Sequence, residues 1–565
     1  MSKETFKVST HDDSYLAYIK AVCVALVLLI LPAFPVLAVN LDSILESIDQ
    51  PGQHMAYVLN TGDDALLVRV NLIRHAKTSI DIQTFIWAND DSGRFVINEL
   101  WKAAMRGVDV RLLVDDMSVR KSADYVAYLA SIHPNIAIKQ YNPVSAKIHA
   151  GALSKISQYT VDFGQTNQRM HNKTVIVDQR FGITGGRNFA DDYFDRGIKR
   201  SFKDRDLLIV GEVVGKMADS FEDYWQFERS IASEDMIDVA RELAAGDAVI
   251  PEDARQYAIA ETFVLLSQCA DRPLCMENRI WRHGFEVFDV KFVADAPGKV
   301  DEPSGYAKTT QSLIGLMQNA KTSLVMQTPY LVVDSGGNKI FKEIRKKSPE
   351  LEILVSTNSL GAADHFYAYA FSYKNKRKYV KSFKWKIFEL KPTPADVQSM
   401  VPAVPDRIRT SDHYTCIHAK SFVFDDETVW LGSFNLDPRS ASLNTEAGLV
   451  IKDDALAIHI SRLIRQDTIP ANSWTVGKRR KLPVFGFFNG VIESVFSRLP
   501  FLNVWPFSYA TSFELRKDAD VVPFDHPDFY KNYRSVGQFP GANLSEKALK
   551  TRLTKAFFGP IEPII

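Results

Sequence analysis

Two stretches of the sequence, His171-Asn-Lys-Thr-Val-Ile-Val-Asp178 and His418-Ala-Lys-Ser-Phe-Val-Phe-Asp425, share the pattern H-x-K-x-x-x-x-D. A loop of small residues with an asparagine follows each stretch, as Gly185-Gly-Arg-Asn188 in the first copy and Gly432-Ser-Phe-Asn435 in the second. The interval between the two histidines equals the interval between the two asparagines. One H-x-K pair arises readily by chance, whereas two copies in one register with matching loops indicate an internal duplication.

The residues between each lysine and aspartate are apolar or β-branched, so both stretches are predicted to be buried strands. Because side chains alternate along a strand, His171 shares a face with Lys173, and His418 shares a face with Lys420. A lysine ammonium suits a phosphate oxygen, and a neutral histidine is a nucleophile and proton carrier. Two such pairs favour a site that holds a phosphodiester and attacks it with an imidazole.

The aspartate that ends each copy, Asp178 or Asp425, follows its lysine by five positions. It therefore falls on the opposite strand face or in the turn that follows. We expect both aspartates to support the fold rather than the chemistry.

The two halves of the chain also match outside these stretches. The segment 76–84 resembles 320–328, and in each half a helical pattern and another strand follow, through 97–114 and 340–355. Alternating strands and helices predict an α/β sheet in each half. The expected fold class is therefore α/β, with two similar lobes from an internal duplication and an active site at their shared face.

The doubled pattern resembles the HKD motif of the phospholipase D superfamily. The resemblance implies that the two copies meet at one active site, with His171 attacking phosphorus to give a phosphohistidine. It implies that His418 protonates the leaving alkoxide and then activates the incoming alcohol or water, and the reverse assignment of the two histidines stays open. The lysines of both motifs would stabilise charge on the phosphoryl oxygens. Further phosphate-binding residues are expected at Asn188, Asn435, Gly186 and Ser433. No metal or other cofactor is expected.

An acidic residue near the start of a later strand completes the motif in each half of the family pattern. The candidates are Asp206, expected to bond the far ring nitrogen of His171, and Glu446, expected to do the same for His418. Such a carboxylate fixes the tautomer of a histidine and stabilises its imidazolium.

The composition describes a large folded body without a bulk excess of charge. The chain has 565 residues, 46% of them hydrophobic, and its 68 lysines and arginines equal its 68 acidic residues. A balanced total lacks the basic charge typical of nucleic-acid binders, so no nucleic-acid partner is expected.

An uncharged apolar run, residues 21–39, is long enough to span a bilayer. Lysines precede it and acidic residues follow it, so the N-terminus is expected to stay cytoplasmic while the rest is exported. A cleaved signal peptide at 36–38 is the alternative. Either reading places the catalytic body on the periplasmic side of a bacterial inner membrane, where Cys269 and Cys275 are either a local disulfide or two thiols.

The sequence divides into six expected segments: a tail (1–20), the anchor or signal peptide (21–39), a first lobe (40–250), an inter-repeat segment (251–300), a second lobe (301–470) and a C-terminal extension (471–565). The extension contains a basic cluster, 478–481, and an aromatic-rich run, 484–505. That run is expected either at a membrane interface or over the active-site entrance, or else packed on a lobe.

The segment 431–446, together with 357–364 and 62–66, is similar to bacterial cardiolipin synthases, most closely the C type. The resemblance implies a membrane-associated phosphatidyltransferase whose partners are phospholipids: phosphatidylglycerol as acceptor, and phosphatidylethanolamine as donor. One alternative is a phospholipase D that hydrolyses head groups. Another is a phosphodiesterase or nuclease, which the balanced charge disfavours, or an inactive binding protein, which the intact histidines and lysines disfavour.

Overall fold

The computed structural model describes residues 39–115, 123–148, 167–245, 261–301, 307–403, 413–480 and 509–541. The predicted tail, nearly all of the apolar run 21–39 and the aromatic-rich run 484–505 lie outside these residues. Within the described ranges, no helix is both long and apolar enough to cross a bilayer.

The first lobe is a mixed sheet of nine strands flanked by helices. The strands of this half are β1 His54–Leu59, β2 Ser79–Thr84, β3 Asp109–Asp115, β4 Ile136–Tyr141, β5 Thr174–Val177, β6 Phe181–Gly185, β7 Arg200–Lys203, β8 Asp206–Val210, β9 Ser230–Ala232 and β10 Phe285–Val287. The helices are α1 Leu41–Glu46, α2 Gly62–His75, α3 Asp91–Met105, α4 Ala123–Ser131, α5 Val213–Trp225, α6 Ile237–Ala245, α7 Glu261–Ala270 and α8 Pro273–Arg279. The sheet order is β10-β1-β8-β6-β5-β2-β3-β4-β9.

The second lobe is a mixed sheet of ten strands. The strands of this half are β11 Asp289–Ala294, β12 Ser323–Gln327, β13 Glu352–Asn358, β14 Lys386–Leu390, β15 Tyr414–Ile417, β16 Ser421–Phe424, β17 Thr428–Gly432, β18 Ala447–Lys452, β19 Ser473–Lys478, β20 Ala510–Leu515 and β21 Tyr533–Gly537. The helices are α9 Lys308–Asn319, α10 Ser335–Lys347, α11 Phe366–Lys381, α12 Val397–Met400, α13 Pro438–Ser442, α14 Asp454–Asp467 and α15 Phe529–Asn532. The sheet order is β11-β18-β17-β16-β12-β13-β14-β19-β20-β21.

The two sheets repeat one topology, which confirms the predicted α/β duplication. Parallel strands β2-β3-β4 correspond to β12-β13-β14, and the antiparallel set β5-β6-β8 corresponds to β16-β17-β18. One hydrophobic core contains side chains from both sheets, including Ile176 and Leu207 from the first and Leu431 and Leu449 from the second. The lobes are therefore held together by burial of apolar surface between them.

Two short backbone contacts also join the lobes. Strand β7 of the first half pairs in parallel with β15 of the second. An isolated parallel bridge joins Met170 to Thr445. His418 directly follows β15, and His171 directly follows Met170. Each histidine therefore comes immediately after a backbone contact with the opposite lobe.

This pairing changes the predicted strand boundaries. The regular strands begin after the lysines, at Thr174 and Ser421, rather than at the histidines. The residues before them cannot continue the sheet of their own lobe because their backbone bonds the other lobe. Each H-x-K segment therefore connects a backbone contact with the opposite lobe to a strand in the sheet of its own lobe.

The aspartates that end the motifs lie in the turns after β5 and β16. Both have a positive φ, 51° at Asp178 and 56° at Asp425. The carboxylate of Asp178 accepts hydrogen bonds from the backbone N–H groups of residues 77–79, and that of Asp425 accepts them from residues 321–323. Each aspartate thus ties a motif hairpin to the start of the neighbouring strand.

The inter-repeat segment contributes to both lobes. Helices α7 and α8, joined by the disulfide Cys269–Cys275, pack against the first lobe. Strand β10 then completes the first sheet, and β11 starts the second. Beyond residue 470, strands β19 to β21 extend the second sheet.

Candidate active site

The two motif histidines are each oriented by a carboxylate from the opposite lobe. Nδ1 of His171 lies 2.9 Å from Glu446 Oε2, and Nδ1 of His418 lies 2.6 Å from Asp204 Oδ2. The inter-lobe contacts explain this exchange, because the backbone N–H of His171 donates to Thr445 O and that of His418 donates to Lys203 O. Glu446 directly follows Thr445, and Asp204 directly follows Lys203, so each backbone contact brings the carboxylate of the opposite lobe next to the histidine.

The structure therefore corrects the predicted acidic partners. Glu446 is in the centre, but it contacts His171 rather than His418. Asp206 contacts neither histidine: it accepts from Arg69 Nη2 at 2.8 Å and from the N–H of Arg187 at 3.2 Å. The physical reason is that Asp206 already belongs to β8, two residues past Asp204.

Asp204 is the residue that the sequence analysis missed. The signal was present, because aligning the apolar run Leu207-Leu-Ile with Leu449-Val-Ile places Asp204 opposite Glu446. Register in the sheets agrees, since Gly186 N–H donates to Arg205 O while Ser433 N–H donates to Ala447 O.

Burial sets the charge of the two histidines. Burial, opposed by Glu446 and reinforced by the charges of Lys173 and Lys420, lowers the pKa of His171 to about 4. Burial likewise lowers the pKa of His418 to about 4, with Lys420 lowering it and Asp204 raising it. Both rings are thus neutral near pH 7 in the free protein. A ring that donates its Nδ1 proton to the carboxylate keeps Nε2 as a base. At His418, Lys420 Nζ also lies 2.8 Å from Nδ1 and 3.2 Å from Nε2.

The carboxylates stay ionised despite being buried. Burial acts to raise the pKa of Glu446, but His171, Lys173 and the Ser433 hydroxyl together outweigh it, and the net pKa is lowered. The same balance, with His418 as the main opposing charge, lowers the pKa of Asp204. Each histidine therefore faces an anion that stabilises its imidazolium when it accepts a proton.

The two motif lysines are buried close to one another. Lys173 Nζ donates to His171 O at 2.7 Å, and Lys420 Nζ donates to His418 O. Burial, followed by the charge of Lys420, lowers the pKa of Lys173 to about 7. Burial also lowers the pKa of Lys420. Two desolvated ammonium groups that repel each other favour an anion between them.

The second residue of each small-residue loop, Gly186 or Ser433, lies against one of the two carboxylates. A Cβ at Gly186 would lie 2.1 Å from Asp204 Oδ1, so a side chain there would displace that carboxylate. At the equivalent position, Ser433 Oγ donates to Glu446 Oε2 at 2.5 Å. The structure thus gives Gly186 and Ser433 contacts with the carboxylates rather than an open position for phosphate.

The two loop asparagines differ in their hydrogen bonds. Asn188 Oδ1 accepts from the N–H of Ile86 at 3.0 Å. Asn435 Oδ1 is buried without a hydrogen-bond partner among the residues that the structure describes. The unpartnered atom of Asn435 is an acceptor, so it could take a hydroxyl proton, whereas only the amide N–H2 group of the side chain could donate to a phosphoryl oxygen.

Two polar residues at the ends of equivalent strands brace the backbone before the histidines. Asp115, the last residue of β3, accepts from the N–H of Met170 at 2.8 Å. Asn358, the last residue of β13, accepts from the N–H of Ile417 at 2.8 Å. The sequence analysis did not assign them this role, although their equivalent places in the repeat were visible.

Aromatic rings pack against both histidines. The ring of Phe85 meets His171 edge-on with centroids 5.4 Å apart. The rings of Tyr193 and Phe202 lie 5.0 and 4.9 Å from His418. Among the described parts of the chain, no group of three or more metal-ligating side chains could hold an ion.

Comparison with known proteins agrees with this arrangement. The family model described as "Cardiolipin synthase, PLD-like domain" matches residues 70–225 and again 313–468. Cardiolipin synthase C of Escherichia coli is 31% identical over 430 residues, covering 74% of this chain and 86% of the relative. An uncharacterised protein of Helicobacter pylori is 34% identical and covers 72% and 78%. A cardiolipin synthase of Staphylococcus aureus is 24% identical and covers 75% and 69%. The crystal structure of phosphatidylserine synthase from Haemophilus influenzae matches with a TM-score of 0.49 and 14% identity, over 74% of this chain and 87% of the other.

The duplicated domain and its family place the molecule among the phosphatidyltransferases of the phospholipase D superfamily, and it is an enzyme. More narrowly, the chain belongs to the cardiolipin synthase, phospholipase D-like family.

Proposed function

We propose that this enzyme is a cardiolipin synthase that moves a phosphatidyl group from one phospholipid to a histidine and then to the hydroxyl of phosphatidylglycerol. The observation that carries the proposal is the reciprocal pair of buried histidine–carboxylate contacts, His171–Glu446 and His418–Asp204. One histidine would act as nucleophile and the other as general acid, and the two adjacent lysines would stabilise charge on the phosphoryl oxygens.

In the first step, Nε2 of His171 attacks phosphorus, so that a P–N bond forms and the P–O bond to the leaving alcohol breaks. The leaving oxygen takes a proton from Nε2 of His418. The arriving phosphodiester anion raises the pKa of that histidine, so its Nε2 takes up a proton from solvent before the step, and Asp204 stabilises the charged form. Lys173, Lys420 and the amide of Asn435 contact the phosphoryl oxygens.

In the second step, His418 is neutral and accepts the proton of the incoming hydroxyl. The hydroxyl oxygen attacks phosphorus, the P–N bond breaks, and the ring of His171 regains its lone pair. Phosphatidylglycerol as acceptor gives cardiolipin, whereas water gives phosphatidic acid. Phosphatidylethanolamine as donor, by analogy with the C-type relative, would release ethanolamine in the first step.

The test uses the purified full-length chain with vesicles of phosphatidylglycerol and phosphatidylethanolamine, analysed by mass spectrometry. We expect cardiolipin from the wild type and none from His171→Ala or His418→Ala. Phosphatidic acid without cardiolipin would overturn the transferase proposal in favour of hydrolysis. Cleavage of an added DNA oligonucleotide would support the nuclease alternative.

We also propose that the catalytic body lies on the periplasmic side of a bacterial inner membrane. The apolar run 21–39 and the lysines before it support this orientation, and the Cys269–Cys275 disulfide suits an oxidising compartment. Alkaline phosphatase fused after residue 50 should be active, because that reporter matures only outside the cytoplasm. If the alkaline phosphatase fusion were inactive and a green fluorescent protein fusion at the same place were fluorescent, the lobes would lie in the cytoplasm.

A further inference from the structure

The inter-repeat segment contains a buried ion pair outside the motifs. Strand β11 ends at Ala294, and Asp295 and Lys299 follow it in a turn. Lys299 Nζ lies 3.0 Å from Asp295 Oδ2, and both side chains are almost fully buried, at 5% and 0% exposed. The free energy lost in desolvating two buried charges often exceeds the free energy gained from their attraction, so this pair is not explained by its contribution to stability alone.

Lys299 uses all three of its protons. Besides Asp295, its ammonium donates to the backbone carbonyls of Ser440 at 2.8 Å and Asn444 at 2.7 Å. Ser440 lies in α13, and Asn444 lies in the turn between α13 and Glu446. The hydroxyl of Ser440 in turn donates to Glu446 Oε1 at 2.7 Å. The Lys299 ammonium therefore holds the backbone around Ser440, whose hydroxyl donates to the carboxylate of Glu446.

Asp295 holds the same residue through its backbone. Its Oδ2 accepts from the N–H of Glu446 at 3.1 Å, and its own N–H donates to Glu446 O at 2.9 Å. Its Oδ1 accepts from Thr309 N–H at 3.0 Å, which ties the turn to the start of α9.

The turn also reaches the first lobe. Tyr224 of α5 donates its hydroxyl proton to Asp295 O at 2.8 Å, and the N–H of Gly298 donates to Tyr141 Oη at 3.4 Å. The residue it braces, Glu446, is the one that contacts His171 of that lobe. The turn is thus hydrogen-bonded both to Glu446 and to the first lobe, which contains His171.

We propose that Asp295 and Lys299 are positioning residues that hold Glu446 against Nδ1 of His171 and so keep Nε2 free for attack. The inference rests on the proposed role of His171. It also gives the inter-repeat segment a part in the active site, since the turn connects Glu446 to both lobes.

The deciding variant is Lys299→Met in the full-length protein. It removes three donated hydrogen bonds while keeping a long side chain. We expect the ring-nitrogen ¹⁵N shifts of His171 at pH 7 to move from the Nδ1–H tautomer towards a mixture with Nε2–H. We expect the single-turnover rate of phosphohistidine formation to fall ~10- to 100-fold, as for residues that orient metal-bound histidines. KM for lipid should change little.

The matched control is Lys376→Met, which breaks another buried ion pair of the second lobe. Lys376 Nζ lies 2.5 Å from Glu389 Oε1, with side chains 5% and 1% exposed. It should lower the melting temperature as Lys299→Met does and leave the His171 shifts unchanged. Lys299→Arg should restore part of the rate, because it keeps the charge and several donors.

Unchanged His171 shifts in Lys299→Met, with only the loss of stability shared by the control, would overturn the inference. A wild type that forms no phosphohistidine would instead refute the proposed function. The tautomer measurement decides the positioning role in either case, because it requires no turnover.

Discussion

At the scale of single residues, a displacement of two positions separates a catalytic partner from a structural one. Asp204 bonds His418, whereas Asp206 bonds buried arginines. We predict that Asp204→Asn lowers kcat by ~10²- to 10⁴-fold with a near-normal melting temperature, as when the carboxylate of a catalytic triad is neutralised. Asp206→Asn should instead lower the melting temperature, because it leaves Arg69 buried without its ion-pair partner. The reverse outcome would restore the assignment predicted from sequence.

The lysines give a prediction for pH dependence. The folded pKa of Lys173, about 7, lies below its ordinary value, so its positive charge is present below pH 7 and is lost as pH rises through it. We therefore expect binding of a non-hydrolysable phosphodiester lipid analogue to weaken above about pH 7. Protonation of His171 near pH 4 should lower the rate of phosphohistidine formation, because a protonated ring cannot attack phosphorus.

Lys173→Ala should lower turnover by ~10²-fold or more, the usual cost of losing one preorganised charge contact. It should also flatten the basic limb of the pH profile of analogue binding. A basic limb that persists unchanged in this variant would show that another group controls it.

The motif histidines and lysines, proposed as catalytic, were visible in the sequence because each pair is local and the pattern occurs twice. Their partners were not, because hydrogen bonds between residues 171 and 446, or 418 and 204, depend on how the lobes meet. Glu446 was named from its place before a strand, but its histidine was assigned within one lobe. Asp295 and Lys299 had no pattern to mark them, since their contacts are mostly with backbone groups.

At the scale of elements, the motif hairpins depend on the aspartates that end them. Each carboxylate accepts from three consecutive N–H groups at the start of a parallel strand. We predict that Asp178→Asn and Asp425→Asn each destabilise the fold by about 1–3 kcal/mol, the cost of leaving backbone donors poorly paired. Folded protein should keep most of its activity. A normally melting Asp178→Asn protein without activity would contradict this structural role.

The duplicated α/β order was predictable because alternating strand and helix patterns extend over both halves. The strands that join the lobes were not. Arg200–Lys203 and Tyr414–Ile417 have four residues each and are paired only with each other. No periodicity in so short a run shows its partner, so the start of the predicted H-x-K strand was placed too early, at the histidine rather than after the lysine.

At the scale of the whole molecule, a defect in one lobe should disable the histidine of the other. An activated phosphodiester with a p-nitrophenolate leaving group needs no proton from a general acid. We predict that such a substrate rescues much of the first-step rate of Asp204→Asn, which affects His418. It should not rescue Glu446→Gln, which affects the nucleophile His171.

The control for this prediction is His171→Ala, which should stay inactive on both substrates. Mapping the trapped phosphohistidine to residue 171 in the wild type would agree with the rescue pattern. Rescue of Glu446→Gln and not of Asp204→Asn would exchange the roles of the two histidines.

The exchange of carboxylates between lobes has a consequence for synthesis. A ribosome completes His171 long before it reaches Glu446, and Asp204 long before His418. Until His418 is made, Asp204 has no histidine to contact, and until Glu446 is made, His171 has no carboxylate. A truncated product of the first half would therefore contain neither histidine–carboxylate pair, and both pairs form only after the two halves have been made and have met.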